Sequence, residues 1–175
     1  MRGARAAYVA GLGDGRAALE AALAEVLAAN LGPGIVAAYR AHGAEIDPAR
    51  LVRPFAFPRV TGAGLAFYAC AASDCAPGFA GIAEPPAAAP LVIPEIVLVP
   101  LVAVDVTGNR LGQGAGHYDR TLAALRATRW VVAVGVAWDM QRVDALPADP
   151  WDQPLDALAT PSGWIRFASH PMSAR

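Results

Sequence analysis

Lysine is absent from this chain: all fourteen basic residues are Arg. Schiff-base chemistry and a P-loop lysine are thereby excluded, and any phosphate clamp has to use guanidinium groups or backbone amides. A GC-rich genome produces the same bias, and the chemical restriction holds either way. Cysteine is nearly absent too. Cys70 and Cys75 stand five apart with no third, and two thiols cannot build a four-ligand zinc site without His or carboxylate help. They are expected as free thiols, with a redox pair as the alternative. No apolar run of roughly 18 residues is free of charge, Pro or Gly, so no membrane-spanning helix is expected. Arg2 and Arg5 precede no continuous apolar stretch, so no secretory signal is expected and a cytoplasmic location follows. The net charge of −1 argues against nucleic acid as a partner.

What is present is a high apolar fraction, 55%, much of it Ala. A chain of 175 residues is read as one domain, 1–175, large enough to bury a core. Leu19, Leu23, Val26 and Leu27 make one stripe of a helix over 16–29, with Asp14 as its cap and residues 30–32 as its stop. Residues 35–39 read as a buried strand, and Asp47-Pro48 opens a short helix to residue 53. Residues 55–60 and 65–69 read as strands around a turn at Gly62 and Gly64. Residues 73–95 show no period and read as a long surface loop. The continuous apolar runs 96–104 and 130–137 read as central parallel strands. A helical turn is expected over 141–146, and edge strands over 157–160 and 164–167. Strands alternating with helices predict an α/β fold with a mainly parallel sheet covered on both faces. Ligands of such sheets lie beyond the C-terminal ends of the strands.

The most informative stretch is 99–122. An apolar strand runs into a turn, then Arg110-Leu111-Gly112-Gln113-Gly114-Ala115-Gly116-His117, then a helix that opens with Tyr118, Asp119 and Arg120. Glycines let backbone amides approach an anion, and a helix N-terminus adds partial positive charge; together they suit a phosphate. Arg110 adds a cation, and Asp119 a carboxylate for a metal. The segment is neither a Walker A loop nor the dinucleotide fingerprint, whose glycine spacing differs.

Val-Pro-Leu-Val-Ala-Val-Asp-x-x-Gly-x-Arg-Leu-Gly-x-Gly-x-Gly-x-Tyr-Asp-Arg resembles the signature of the 5-formyltetrahydrofolate cyclo-ligase family. Tyr39 with Glu45-Ile46-Asp47, Phe57-Pro58-Arg59-Val60, Gly81-Ile82-x-Glu84-Pro85, Gly135-Val136-Ala137 with Gln141, and Asp152 with Asp156 and Thr160 extend the likeness over 35–160 in the family's order. The resemblance implies a three-layer domain similar to sugar-phosphate isomerases and CoA transferases. It implies conversion of 5-formyltetrahydrofolate to 5,10-methenyltetrahydrofolate with ATP and Mg2+, releasing ADP and phosphate; a monomer is expected separately. Phosphorylation of the formyl oxygen makes a leaving group, and N10 then closes the ring. Such transfer needs positioning and charge neutralisation more than a protein nucleophile.

By resemblance, Arg110, Gln113, His117 and Tyr118 are the catalytic candidates. Arg110 and the loop Leu111, Gly112, Gln113, Gly114, Ala115, Gly116, His117 and Tyr118 hold the ATP phosphates. Gln113 to His117 also meet the folate, and His42, Glu45 and Asp47 address the pterin edge. Asp119 and Asp152 are the Mg2+ ligands. Taken singly, Asp119 also reads as a first-turn acid on a helix dipole, Asp47 as a helix cap and Asp152 as a turn residue. Tyr68 and Trp138 are either stacking groups or core. Arg120 addresses a phosphate or pairs with Asp119 or Asp156. The family's N-terminal Lys and Arg on the phosphates have only Arg2 and Arg5 as counterparts here. Ala115 and His117 depart from the family pattern. A catalytically impaired relative that binds folate or nucleotide, and a sugar-phosphate isomerase-type enzyme, are the competing readings.

Overall fold

The computed structural model describes residues 1–48, 51, 55–62 and 64–168. Among these, two helices open the chain, α1 (Arg2–Leu12) and α2 (Gly15–Asn30), and a third, α3 (His117–Arg126), comes late. The strands in chain order are β1 (Val36–Ala37), β2 (Phe55–Thr61), β3 (Gly64–Ala69), β4 (Ala76–Pro77), β5 (Ala83–Glu84), β6 (Leu91–Val92), β7 (Ile96–Pro100), β8 (Ala103–Val104), β9 (Arg110–Leu111), β10 (Val132–Val136), β11 (Ala157–Thr160) and β12 (Gly163–Arg166).

Eight of them form one sheet in the order β12-β11-β10-β7-β1-β2-β3-β6. The five central strands, β11 to β2, run parallel, and antiparallel strands flank them on both sides. Burial on both faces explains the near-continuous apolar strands. Ile96 and Leu98 of β7 point to the layer carrying α1 and α2, while Val97 and Val99 point to the layer carrying Leu122 and Leu125 of α3. The α/β three-layer expectation therefore holds. Gly135 in β10 is required by packing, since a Cβ there would stand 2.6 Å from Leu155 Cδ1 and 2.9 Å from Leu101 Cδ2.

Several local expectations are corrected. Asp14 caps α2 by position only, without a side-chain hydrogen bond. The stretch 96–104 is two strands: the chain leaves the sheet after Pro100, and β8 pairs antiparallel with β9. Residues 73–95 carry the β4–β5 ribbon and the edge strand β6. The helical turn lies at Asp139–Gln141, because Val143 donates to the Val104 carbonyl at 2.9 Å and extends the chain beyond it. Strand β11 is interior, between β10 and β12, since a hairpin returns the chain as the true edge. Asp47 lies within the described residues, but most of the short helix expected after it lies outside them. Helix α1 was not foreseen.

Candidate functional site

Strands β7, β1 and β10 end on the same side, and their C-terminal connections build the site. After β7, the Leu101 carbonyl accepts Arg5 Nη1 at 2.9 Å and Gln141 Nε2 at 2.7 Å, and the Val102 carbonyl accepts Gln141 Nε2 at 3.2 Å. These side chains take the acceptors a continuing strand would use, so the chain turns away into β8. Gln141 is 1% exposed, and its Oε1 accepts the Trp138 amide at 2.9 Å.

The turn between β8 and β9 is organised by Asp105. Its Oδ1 accepts the Thr107 amide (2.9 Å), the Thr107 hydroxyl (2.7 Å) and the Asn109 amide (3.0 Å). Its Oδ2 accepts Asn109 Nδ2 (3.0 Å) and the Leu146 amide (3.2 Å). Burial pushes this carboxyl up, but the hydrogen bonds from Thr107, Asn109 and Leu146 outweigh it and hold it below its ordinary value. Sequence reasoning gave Asp105 no role. The signal was there: Asp-x-Thr-x-Asn is the pattern of a carboxylate capping its own turn.

From β9 the glycine loop runs over the surface. Gln113, Gly114 and Ala115 are exposed, and Gly114 and Gly116 take φ values of 96° and 65°. Gly116 is the left-handed residue just before α3. Arg120 folds back so that Nη2 donates to the Ala115 carbonyl at 2.7 Å, with His117 Nδ1 3.4 Å away. From α1, Arg2 donates to the Gln113 carbonyl at 2.9 Å. Arg5 of the same helix is buried, and its Nε has no partner among the described residues. The N-terminal cations thus come to the loop and to its root.

Asp119, in the first turn of α3, takes Arg110 Nη2 on Oδ1 at 2.6 Å and the Gln153 amide on the same oxygen at 3.0 Å. Arg110 Nη1 donates to the Gln153 carbonyl. Arg120 does not pair with Asp156, whose partner is Arg126 at 2.7 Å. Asp152 accepts the Asp149 amide at 2.9 Å and lies one residue from the Asp119 contact. Two carboxylates on tethered segments beside an exposed amide loop suit Mg2+, which takes one or two carboxylates and completes its shell with phosphate oxygens and water. No cluster of three or more His, Cys, Asp or Glu that could hold a metal ion exists among the described residues.

The segment after β1 closes the site from the other side. Arg16 Nη2 donates to the Glu45 carbonyl (3.0 Å) and Trp138 Nε1 to the Ala44 carbonyl (3.0 Å). Glu45 is 8% exposed, and its Oε2 accepts the His42 amide at 3.0 Å. Tyr39 donates its hydroxyl to the Ile46 carbonyl at 2.6 Å. Burial pushes the hydroxyls of Tyr39 and Tyr118 well above the ordinary tyrosine range, and the Glu45 carboxylate adds to both. Glu45 thus shares one environment with Tyr118, while His42 is exposed and Asp47 half-buried.

Trp138 is 0% exposed and packs with Tyr8, centroids 5.9 Å apart; it is core, not a stacking group. Tyr68 is half-buried opposite Phe57 in the sheet. Cys70 and Cys75 are free thiols with sulfurs 3.7 Å apart. Burial, with Cys70 beside it, pushes the Cys75 thiol up to about 12. The sequence gave no role to Phe79, whose ring meets the His117 imidazole with centroids 6.0 Å apart.

Residues 66–161 match the model of the 5-formyltetrahydrofolate cyclo-ligase family. The chain belongs to that family. The matched stretch holds the glycine loop, α3 and the Asp152 segment. The 5-formyltetrahydrofolate cyclo-ligase of Escherichia coli (strain K12) is 47% identical over 73 residues, 42% of this chain and 40% of that protein. The protein of the same name from Haemophilus influenzae is 44% identical over 79 residues, 43% of this chain and 42% of that protein. These alignments span less than half the length of the curated cyclo-ligases they match. The solved structure of Aquifex aeolicus 5,10-methenyltetrahydrofolate synthetase superposes with a TM-score of 0.73 at 29% identity, over 93% of this chain and 88% of that one. The cyclo-ligase fold therefore extends well beyond the matched sequence.

Proposed function

We propose that this chain converts 5-formyltetrahydrofolate to 5,10-methenyltetrahydrofolate with ATP and Mg2+, as one domain and as a monomer in the cytoplasm. No helix among the described residues is long and apolar enough to cross a membrane. The observation that carries the proposal is the open glycine loop, Gly112 to Gly116, running into the positive end of α3 beside the tethered carboxylates Asp119 and Asp152.

In this reading the amides of residues 112–117 hold the triphosphate, with Arg2, Arg5 and Arg120 supplying positive charge at the loop. Asp119 and Asp152 would hold Mg2+, which would supply neutralisation of phosphate charge. Glu45 accepts from the amino-pyrimidinone edge of the pterin, flanked by His42 and Asp47. The γ-phosphoryl passes to the formyl oxygen and ADP departs; N10 then attacks the activated carbon, phosphate leaves, and the N10 proton is lost as the ring closes. Gln113 and His117 border the point where the two substrates meet. Tyr118, a phenol at neutral pH, acts there as a hydrogen-bond donor. No side chain is asked to act as a nucleophile.

Mixing the protein with 5-formyltetrahydrofolate, ATP and Mg2+ tests the reading, because the methenyl product absorbs in the near ultraviolet where the substrate does not. Growth of that band, dependent on both ATP and Mg2+, is expected. Tight ligand binding with a flat absorbance trace is the result for an impaired relative.

A further inference from the structure

Arg110 occupies the position from which the family resemblance assigns a phosphate contact, yet its guanidinium is turned inward. The side chain is 5% exposed. One Nη is spent on Asp119 and the other on the Gln153 carbonyl, while the Gln153 amide reaches the same Asp119 oxygen. Guanidinium, carboxylate and main chain thus close a ring that joins β9, α3 and the loop before β11. The amide in this ring belongs to the peptide unit linking Asp152 to Gln153, so the ring fixes the backbone next to the second carboxylate.

A second layer holds the ring from outside. Arg126 Nη1 donates to Gln153 Oε1 at 3.3 Å, and Arg126 Nη2 meets Asp156 at 2.7 Å. Asp119 and Arg126 lie two turns apart on one face of α3. A forked, planar donor suits the inner position, because one group has to serve a carboxylate and a carbonyl at once; an ammonium does not offer that geometry.

We propose that Arg110 is a positioning residue for the metal: it acts through Asp119 and the Asp152–Gln153 peptide and does not touch the phosphates. The inference rests on the proposed function. The loop amides grip the nucleotide independently of Arg110, and the ring sets how well the two carboxylates meet the cation.

The test uses Arg110→Lys, Asp119→Ala and the double variant, with thermal melts to confirm folding. Mn2+ binding in the presence of ATP is read by electron paramagnetic resonance, and ATP binding in EDTA by calorimetry. Arg110→Lys is expected to weaken Mn2+ binding about tenfold, as loss of a group that orients a metal ligand does. ATP affinity in EDTA stays unchanged, and Arg110→Lys has no further effect on Mn2+ once Asp119 is Ala. Arg126→Gln, which reaches the ring only through Gln153 and Asp156, shifts Mn2+ affinity in the same direction by a smaller factor, and decides the matter if Arg110→Lys does not fold. Unchanged Mn2+ affinity, additive losses in the double variant, or a fall in metal-free ATP affinity overturns the assignment. A wild-type chain that binds ATP in neither condition overturns the proposed function itself, a separate and recognisable result.

Discussion

The imidazole of His117 meets the ring of Phe79 edge to face, centroids 6.0 Å apart and planes at 88°. The contact joins the turn at Phe79–Gly81 to the first residue of α3. Phe79 is 55% exposed, and Met1, Leu111 and Ile82 are exposed apolar residues as well. Under the proposed function, an aromatic edge beside the glycine loop would suit the ring system of a folate. Replacing Phe79 with Ala should leave the melting temperature nearly unchanged, since the side chain buries little. The KM for 5-formyltetrahydrofolate should rise roughly two- to tenfold, the factor for one aromatic contact, with kcat much less affected. Initial rates in the absorbance assay check this.

Gly114 and Gly116 should respond differently to Ala. At Gly114 the φ of 96° is the obstacle, because nothing lies within 4 Å of an added Cβ; backbone strain of about 1–2 kcal/mol is the cost. At Gly116 the same kind of strain combines with a Cβ 2.7 Å from Arg120 Nη1. The Arg120 guanidinium must then shift. Calorimetric titration with ATP should show weaker binding for both variants, and weaker for Gly116→Ala than for Gly114→Ala.

Asp105 links stability to acid. Its carboxyl lies below the ordinary value of 3.8 in the fold, so the unfolded chain takes up a proton first as pH falls. Its contribution is complete above that value and disappears as pH drops through the folded-state value. Asp105→Ala leaves several buried donors unpaired and should cost about 2–4 kcal/mol at neutral pH. Urea unfolding at a series of pH values should show the gap between wild type and variant closing in acid.

Tyr39 and Tyr118 set the opposite limb. Both hydroxyls lie above the ordinary value of 10.0, so the stability they confer is complete below it and fades as pH rises beyond it. Unfolding scans should show an alkaline loss of stability that a Tyr39→Phe, Tyr118→Phe double variant lacks. In the rate profile below that value, Tyr118 should contribute no ionisation.

The strands β7 and β10 and the glycine loop were legible because their patterns have one physical reading: continuous apolar runs for buried parallel strands, spaced glycines for an open backbone. Helix α1 was hidden because Gly3 and Gly11 lower its propensity and its one fully buried residue is Arg5, which no hydrophobic period reveals. The break after Pro100 was hidden as well. It depends on Arg5 and Gln141 arriving from distant parts of the chain to take the Leu101 and Val102 carbonyls. At the site, Glu45, Tyr118, Arg110 and Asp119 were found by motif and the structure brings them together. The motif could not show that Arg110 points away from the loop, because orientation is set by Gln153, a residue whose part is played mostly by its main chain.

The tether to Asp119 is made by the Gln153 peptide N–H, so it survives a change of side chain at position 153, whereas the Gln153 Oε1 contact with Arg126 does not. Only a change that removes the N–H, such as imino-acid replacement, or one that displaces the whole segment, would cut the link. A survey of side chains at position 153 would pass over the N–H that holds the Asp119 carboxylate.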